Sequence, residues 1–202
     1  EYGFRGDNLL AFNRAVEVYA REHVESLTFQ PIPSVAKGYY ELGAHRIVLN
    51  SRLNESEKAK TMIHELAHAK MHGENSPYRD TTIREKEMQA EMTAYVVSKS
   101  FGLDPDDASI RYVANWTGKF AEIENIEKNL AAIQKTSREI IQGIDTQYGL
   151  ELEKVAEKST VKAEAGIPVP EKADEVNKQE GREEGKERPD KPYVLIQNSQ
   201  LL

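Results

Sequence analysis

The pentad His64-Glu65-Leu66-Ala67-His68 has the form H-E-x-x-H. A helix turns about 100° per residue, so His64 and His68 stack on one side, with Glu65 roughly 60° round from His68. Two imidazoles at that spacing reach a single tetrahedral Zn²⁺, and the glutamate is left beside the open coordination position where a water sits. Bound zinc lowers the pKa of that water to about 7, so a carboxylate removes its proton at neutral pH and creates a hydroxide nucleophile. This is hydrolytic chemistry, most often directed at a peptide bond.

Such a motif has to lie on a helix with an apolar back, which Ala59, Met62, Ile63 and Leu66 supply. Asn54, with Glu57 three residues later, predicts a capping box at the start, and Gly73 predicts the end. The plainer reading, two helical histidines that happen to be four apart, lacks a reason for these flanking signals.

The third ligand is expected from the next helix. In Arg84–Ala94, the residues Glu87, Ala90, Glu91 and Ala94 fall at i, i+3, i+4 and i+7, one stripe whose alanines permit close approach to the first helix. Glu87 is the expected ligand, with Glu91 and Glu85 as alternatives. Glu91, one turn on, is placed to accept a hydrogen bond from the far nitrogen of a ligating histidine, fixing its tautomer. Glutamates on a helix usually form a solvated face, but here alanines rather than basic residues lie between them. The polar loop Glu74–Asp80, stopped from helix continuation by Pro77, should border the cleft. Tyr78 on it is the candidate donor to a substrate oxyanion; Tyr95 is the alternative, read chiefly as a core residue. His72 has drifted about 80° from His64 and is read as facing the free carbonyls of the last turn. His23 and His45 have no partner at ligand spacing and are read as non-ligands.

The order hairpin, H-E-x-x-H helix, then a helix with Glu-x-x-Ala-acid-x-x-Ala resembles the ImmA/IrrE-type metallopeptidases. The runs His64–His72 and Lys86–Val97 are similar to those of LtrC and ArdC-like proteins of conjugative elements. The resemblance covers about residues 1–150. It implies an α+β, zincin-like (gluzincin) fold, one Zn²⁺ per chain, Glu87 as the ligand glutamate and Glu91 as the following acid. It also implies a metalloendopeptidase, with Glu65 as general base, acting on a cytoplasmic protein such as a DNA-binding regulator. The alternative it carries is an antirestriction module that contacts protein or DNA, with a structural metal and no required proteolysis. Thr93 stands where many members carry phenylalanine, a departure that bears on core packing rather than on the ligands.

Composition sets outer limits. With 202 residues, 39% hydrophobic and 30% charged, the chain is long enough for one domain of ordinary size plus a non-globular part. There is no cysteine, so any zinc must use His, Glu or Asp, and a reducing, cytoplasmic compartment is expected. No apolar run approaches bilayer-spanning length and no signal segment opens the chain, so no membrane partner is expected. A net charge of -7 argues against broad phosphate-driven binding; nucleic acid is expected as a partner only through flanking domains. A protein or peptide substrate is the expected partner. The start without Met and the end at Gln200-Leu201-Leu202 are those expected of an excerpt from a longer polypeptide.

The remaining elements surround this centre. Asp7 or Asn8 caps a first helix with apolar positions Leu9, Phe12, Val16, Tyr19 and Val24. Leu27–Phe29 reads as a strand stopped by Pro31 and Pro33, and residues 38–42 and 46–49 read as two strands joined at a turn containing Gly43. Asp104-Pro105 predicts a helix carrying Ile110, Val113 and Trp116, broken at Gly118. A helical seam runs from Phe120 to about Tyr148 through Ile123, Ile126, Leu130, Ile133, Ile140 and Ile144. Residues 1–150 are thus assigned to the catalytic-type domain and 151–192 to a flexible charged linker. Residues 193–202, with Tyr193–Ile196 strand-like, are assigned to the start of a following module.

Overall fold

The computed structural model describes residues 7–103 and 126–164. Helix α1 (Asp7–Arg21) is followed by strands β1 (Ser26–Gln30), β2 (Gly38–Glu41) and β3 (Arg46–Asn50), then by helices α2 (Glu55–His72), α3 (Ile83–Ser100) and α4 (Ile126–Glu164). This mostly helical chain with one small sheet is an α+β arrangement. The sheet order is β1-β3-β2, with β3 parallel to β1 and antiparallel to β2. As the central strand, β3 buries Ile47, Val48 and Leu49 in succession, as expected of a strand covered on both faces.

At the β2–β3 turn the left-handed backbone falls on His45 (φ 44°), not on Gly43, where a Cβ would meet nothing. Histidine is among the residues enriched in positive-φ conformations. Its ring is also held by a 2.7 Å hydrogen bond between Nδ1 and the Tyr40 hydroxyl. Gly38 is needed for a different reason: a Cβ there would crowd Leu49, Thr61 and the Val48 carbonyl, so β2 lies close on α2.

Helix α2 is the hub, packing on α1, α3, β2 and β3. Met62, Ile63, Leu66 and Met71 are fully buried, each contributing about 1.5–3 kcal/mol of transfer free energy. The capping box forms: Asn54 Oδ1 accepts from the Glu57 N–H and Glu57 accepts from the Asn54 N–H. Asn13 of α1 donates to the Glu55 carbonyl and carboxylate at 2.9 and 2.7 Å, fixing that end of the helix. Gly73 does end α2, but in extended rather than left-handed backbone; glycine is required because a Cβ would come within 2.8 Å of the Ala69 carbonyl.

Helix α3 starts with a second capping box, Thr82 with Glu85. That occupies Glu85 and removes it as an alternative ligand. Thr93 is fully buried, its hydroxyl directed at the Met71 sulfur at 4.0 Å, so a small side chain fills the space between α2 and α3 there.

On α4, Ile133, Ile140, Ile144 and Tyr148 are buried as the apolar spacing predicts, and Tyr148 meets Phe12 edge-on with ring centroids 5.7 Å apart. Leu130 departs from the seam and is exposed, whereas Asn129 takes the buried position because its amide has partners on α3. The helix continues to Glu164, although a linker was expected from residue 151. Residues 151–164 contain no Gly or Pro and are rich in Glu, Lys and Ala, so local propensity and pairs such as Lys154–Glu151 favour continuation of the helix. The described residues up to Lys154 belong to one compact unit; of the second, only the helical stretch from Val155 to Glu164 is described. The features expected at Asp104–Pro105, Trp116, Gly118, Phe120, Ile123 and residues 165–202 lie outside the described residues. Among the described residues no helix is long and apolar enough to cross a membrane.

Candidate metal centre

Ala90 and Ala94 are buried on α3, as is Ala67 on α2, and small side chains allow two helices to approach closely enough for short acidic side chains to span the gap. His64, His68 and Glu87 converge: each offers a ligand atom within 4.8 Å of the others. The Nε2 atoms of His64 and His68 are 3.1 Å apart, and the Glu87 carboxylate oxygens lie 3.8 Å from His64 Nε2 and 3.5 Å from His68 Nε2. Glu91 takes the far side of His64, with Oε2 3.1 Å from Nδ1. A carboxylate there holds the proton on Nδ1, so Nε2 is the position left to face the cluster and to give up its proton to a metal.

Glu65 is buried on the same helix, and desolvation pushes its carboxyl up, against the pull of the His64 and His68 rings. Burial alone would push His64 down, but Glu91, Glu65 and Glu87 outweigh it and raise the imidazole to about 9. Glu87 is desolvated too, yet the neighbouring imidazoles, His68 foremost, hold it below the usual carboxylate value. The centre therefore favours positive charge.

The donor set fits a zinc ion on a specific ground. Glu87 Oε1 is buried without a hydrogen-bond donor beside His68 Nε2, Oε2 lies toward His64 Nε2, and these two imidazole nitrogens also face each other. Three electron-pair donors in this arrangement repel unless a proton or a cation lies among them. Two imidazole nitrogens and one carboxylate oxygen are a ligand set that zinc accepts while keeping a position open.

The other sequence candidates fall elsewhere. Tyr78 is half-buried in the α2–α3 loop beneath Lys128, whose Nζ is 6.0 Å from the ring centroid; among the described residues no hydrogen bond joins its hydroxyl to the cluster. Tyr95 is half-buried on α3. His23 bonds the Tyr19 carbonyl and His45 bonds Tyr40, so neither belongs to the centre. His72 does not face free helix carbonyls; it is buried, with Nδ1 3.0 Å from His68 Nδ1 and Nε2 2.8 Å from Gln89 Oε1. Burial, with the neighbouring His68 ring also disfavouring a second positive charge, pushes it down to about 3, against the Gln89 bond, and it is neutral. Gln89 and Asn129 were not legible beforehand, because the partners they bond lie 17 and 40 residues apart in the chain. An amide among charged residues, as at Gln89, was the one available signal.

With this geometry in place, comparisons with known proteins agree. Residues 21–98 match the family model described as the IrrE N-terminal-like domain, Peptidase_M78. An uncharacterized protein of Bacillus anthracis is 36% identical over 114 residues, 56% of this chain; the chain spans about a fifth (19%) of the length of that relative. No solved structure gives a match. The matched segment holds β1–β3, α2 and nearly all of α3, including all three converging side chains. Residues 21–98 are thus similar to the IrrE N-terminal-like domain of the ImmA/IrrE family, a family of metallopeptidase type.

Proposed function

We propose that this domain is a zinc-dependent endopeptidase of the gluzincin kind, with His64, His68 and Glu87 holding the metal and Glu65 acting as general base. The observation that carries the reading is the convergence of both Nε2 atoms and the unpartnered Glu87 oxygen on one point. A zinc ion held there supplies the Lewis acidity that brings a water molecule's pKa near neutrality. Glu65, its basicity increased by burial, accepts the proton of the attacking water and passes it to the leaving amine. Glu91 keeps His64 in the tautomer that presents Nε2. Strand β2 is an edge of the sheet, the kind of element against which an extended peptide aligns. Tyr78, on the loop between the two motif helices, is kept as the candidate donor to the substrate oxyanion on its place in the sequence alone.

The substrate class is a cytoplasmic protein, a DNA-binding regulator being the case that the family resemblance favours. The test pairs metal analysis with proteolysis: one zinc per chain by native mass spectrometry, lost in Glu87→Ala, together with zinc-dependent cleavage of a candidate regulator. A chain with zinc at well below stoichiometric level would overturn it.

A further inference from the structure

We infer that His72 is a positioning residue for His68, and that a hydrogen-bond chain Glu85–Asn129–Gln89–His72 fixes His68 as the Nδ1–H tautomer, its Nε2 lone pair facing Glu87 and His64. The inference rests on the metal-centre reading above and adds residues that lie outside the H-E-x-x-H pattern.

The direction of the chain follows from what each group is able to donate. The Glu85 carboxylate accepts hydrogen bonds and donates none. It is held in place by the Thr81 and Thr82 hydroxyls and the Thr82 N–H, at 2.5, 2.9 and 3.1 Å. The Asn129 group facing Glu85 at 3.4 Å must therefore be the NH₂, which turns its carbonyl oxygen toward Gln89. Gln89 then presents its own NH₂ to Asn129 and its oxygen to His72, 2.8 Å from Nε2. An amide oxygen accepts, so His72 carries its proton on Nε2 and leaves Nδ1 as a lone pair. His72 Nδ1 is 3.0 Å from His68 Nδ1, which must be the donor. A neutral imidazole with its proton on Nδ1 has its lone pair on Nε2, the atom that faces Glu87 and His64.

Burial makes this polarity binding. His68, His72, Gln89 and Asn129 are all at most 5% exposed, so reversing any link sets two donors or two acceptors against each other away from water. The chain crosses three helices, α2, α3 and α4, so the orientation of a metal ligand depends on an asparagine 61 positions downstream of it. His64 is oriented by a carboxylate, Glu91, whereas His68 is oriented by a neutral histidine. The Nδ1 proton is thus held in both ligands, by different routes.

Zinc affinity by chelator competition, together with ring ¹⁵N–¹H correlation spectra of the full chain, tests this. In the zinc-free wild type, His68 is expected to be protonated at Nδ1 and unprotonated at Nε2. His72→Phe, which keeps a ring but offers no acceptor, is expected to weaken zinc binding about 10- to 100-fold and to leave His68 a mixture of tautomers. His72→Gln, whose amide oxygen again accepts, is expected to recover most of that loss. Should the phenylalanine variant not fold, Gln89→Met breaks the same chain one link earlier and is expected to act in the same direction. A folded His72→Phe or Gln89→Met protein with wild-type zinc affinity would overturn the inference, as would a zinc-free wild type with His68 protonated at Nε2. Wild-type protein that takes up no zinc would defeat the peptidase reading instead, since the His68 tautomer is read without metal and decides this chain separately.

Discussion

Glu91 Oε2 sits 3.1 Å from His64 Nδ1, on the opposite edge of the ring from the Nε2 that meets His68 and Glu87. One helical turn of α3 thus supplies two acids with different tasks. Glu87 reaches the point of convergence, and Glu91 aims the imidazole. Glu91→Ala is therefore expected to weaken zinc binding about 10- to 100-fold without abolishing it, whereas Glu87→Ala removes a ligand and is expected to lose stoichiometric metal. Chelator competition on the two variants measures the difference, and equal affinities would contradict the division of roles.

Glu65 offers a cleaner separation of chemistry from binding. Glu65→Gln keeps the shape of a buried side chain but cannot take a proton. It is expected to retain one zinc per chain while cleavage falls by about 10²- to 10⁴-fold. If the domain acts by stoichiometric contact, as an antirestriction module does, the same variant keeps full biological activity and the catalytic assignment to Glu65 fails.

The charge balance predicts how metal uptake responds to pH. In the metal-free protein the His64 imidazole is raised to about 9 by Glu91, Glu65 and Glu87, despite its burial. It is protonated at pH 7, and zinc must displace that proton, so binding at pH 7 should release about one proton. Calorimetry in buffers of different ionisation enthalpy counts it. Because the folded pKa lies above the ordinary imidazole value, this group stabilises the metal-free fold fully below about pH 6.5. That stabilisation is lost as pH rises through about 9, so the melting temperature of chelator-treated protein should fall over that window. A melting temperature that rises there would contradict the assignment.

Two glycines of α4 should respond oppositely to the same change. A Cβ on Gly143 would overlap the ring of Tyr19, whose hydroxyl also bonds the Glu139 carbonyl, whereas a Cβ on Gly149 meets nothing. Gly143→Ala is expected to destabilise by about 1–3 kcal/mol through overpacking. Gly149→Ala is expected to stabilise by up to about 1 kcal/mol through helix propensity. Denaturant unfolding of both variants checks the pair, and a shared sign would mean that α4 does not lie against Tyr19.

The local logic of the centre was readable from residue order. Histidines four apart, an acid directly after the first, a capping box before them and an Ala-spaced acidic stripe on the next helix depend on helical period and end chemistry, which neighbouring residues determine. The same holds for the β2–β3 hairpin, read from two short strand-like runs flanking a turn, whereas the central place of β3, paired with β1 as well, came from the fold. Contacts between distant segments decided the rest. His72 was assigned to the helix end because its angular drift says nothing of what lies opposite. Its actual partner, Gln89, is supplied by another helix, and Gln89 is itself turned by Asn129 from a third. Glu85 became a cap rather than a ligand when Thr82 fixed the start of α3. Asn129 displaced Leu130 from the buried seam because an amide with partners on α3 can occupy an interior position that the apolar pattern assigns to leucine. Periodicity determines which face of a helix is turned inward. Which buried polar groups find partners there depends on how the helices are docked, and that is a property of the assembled fold.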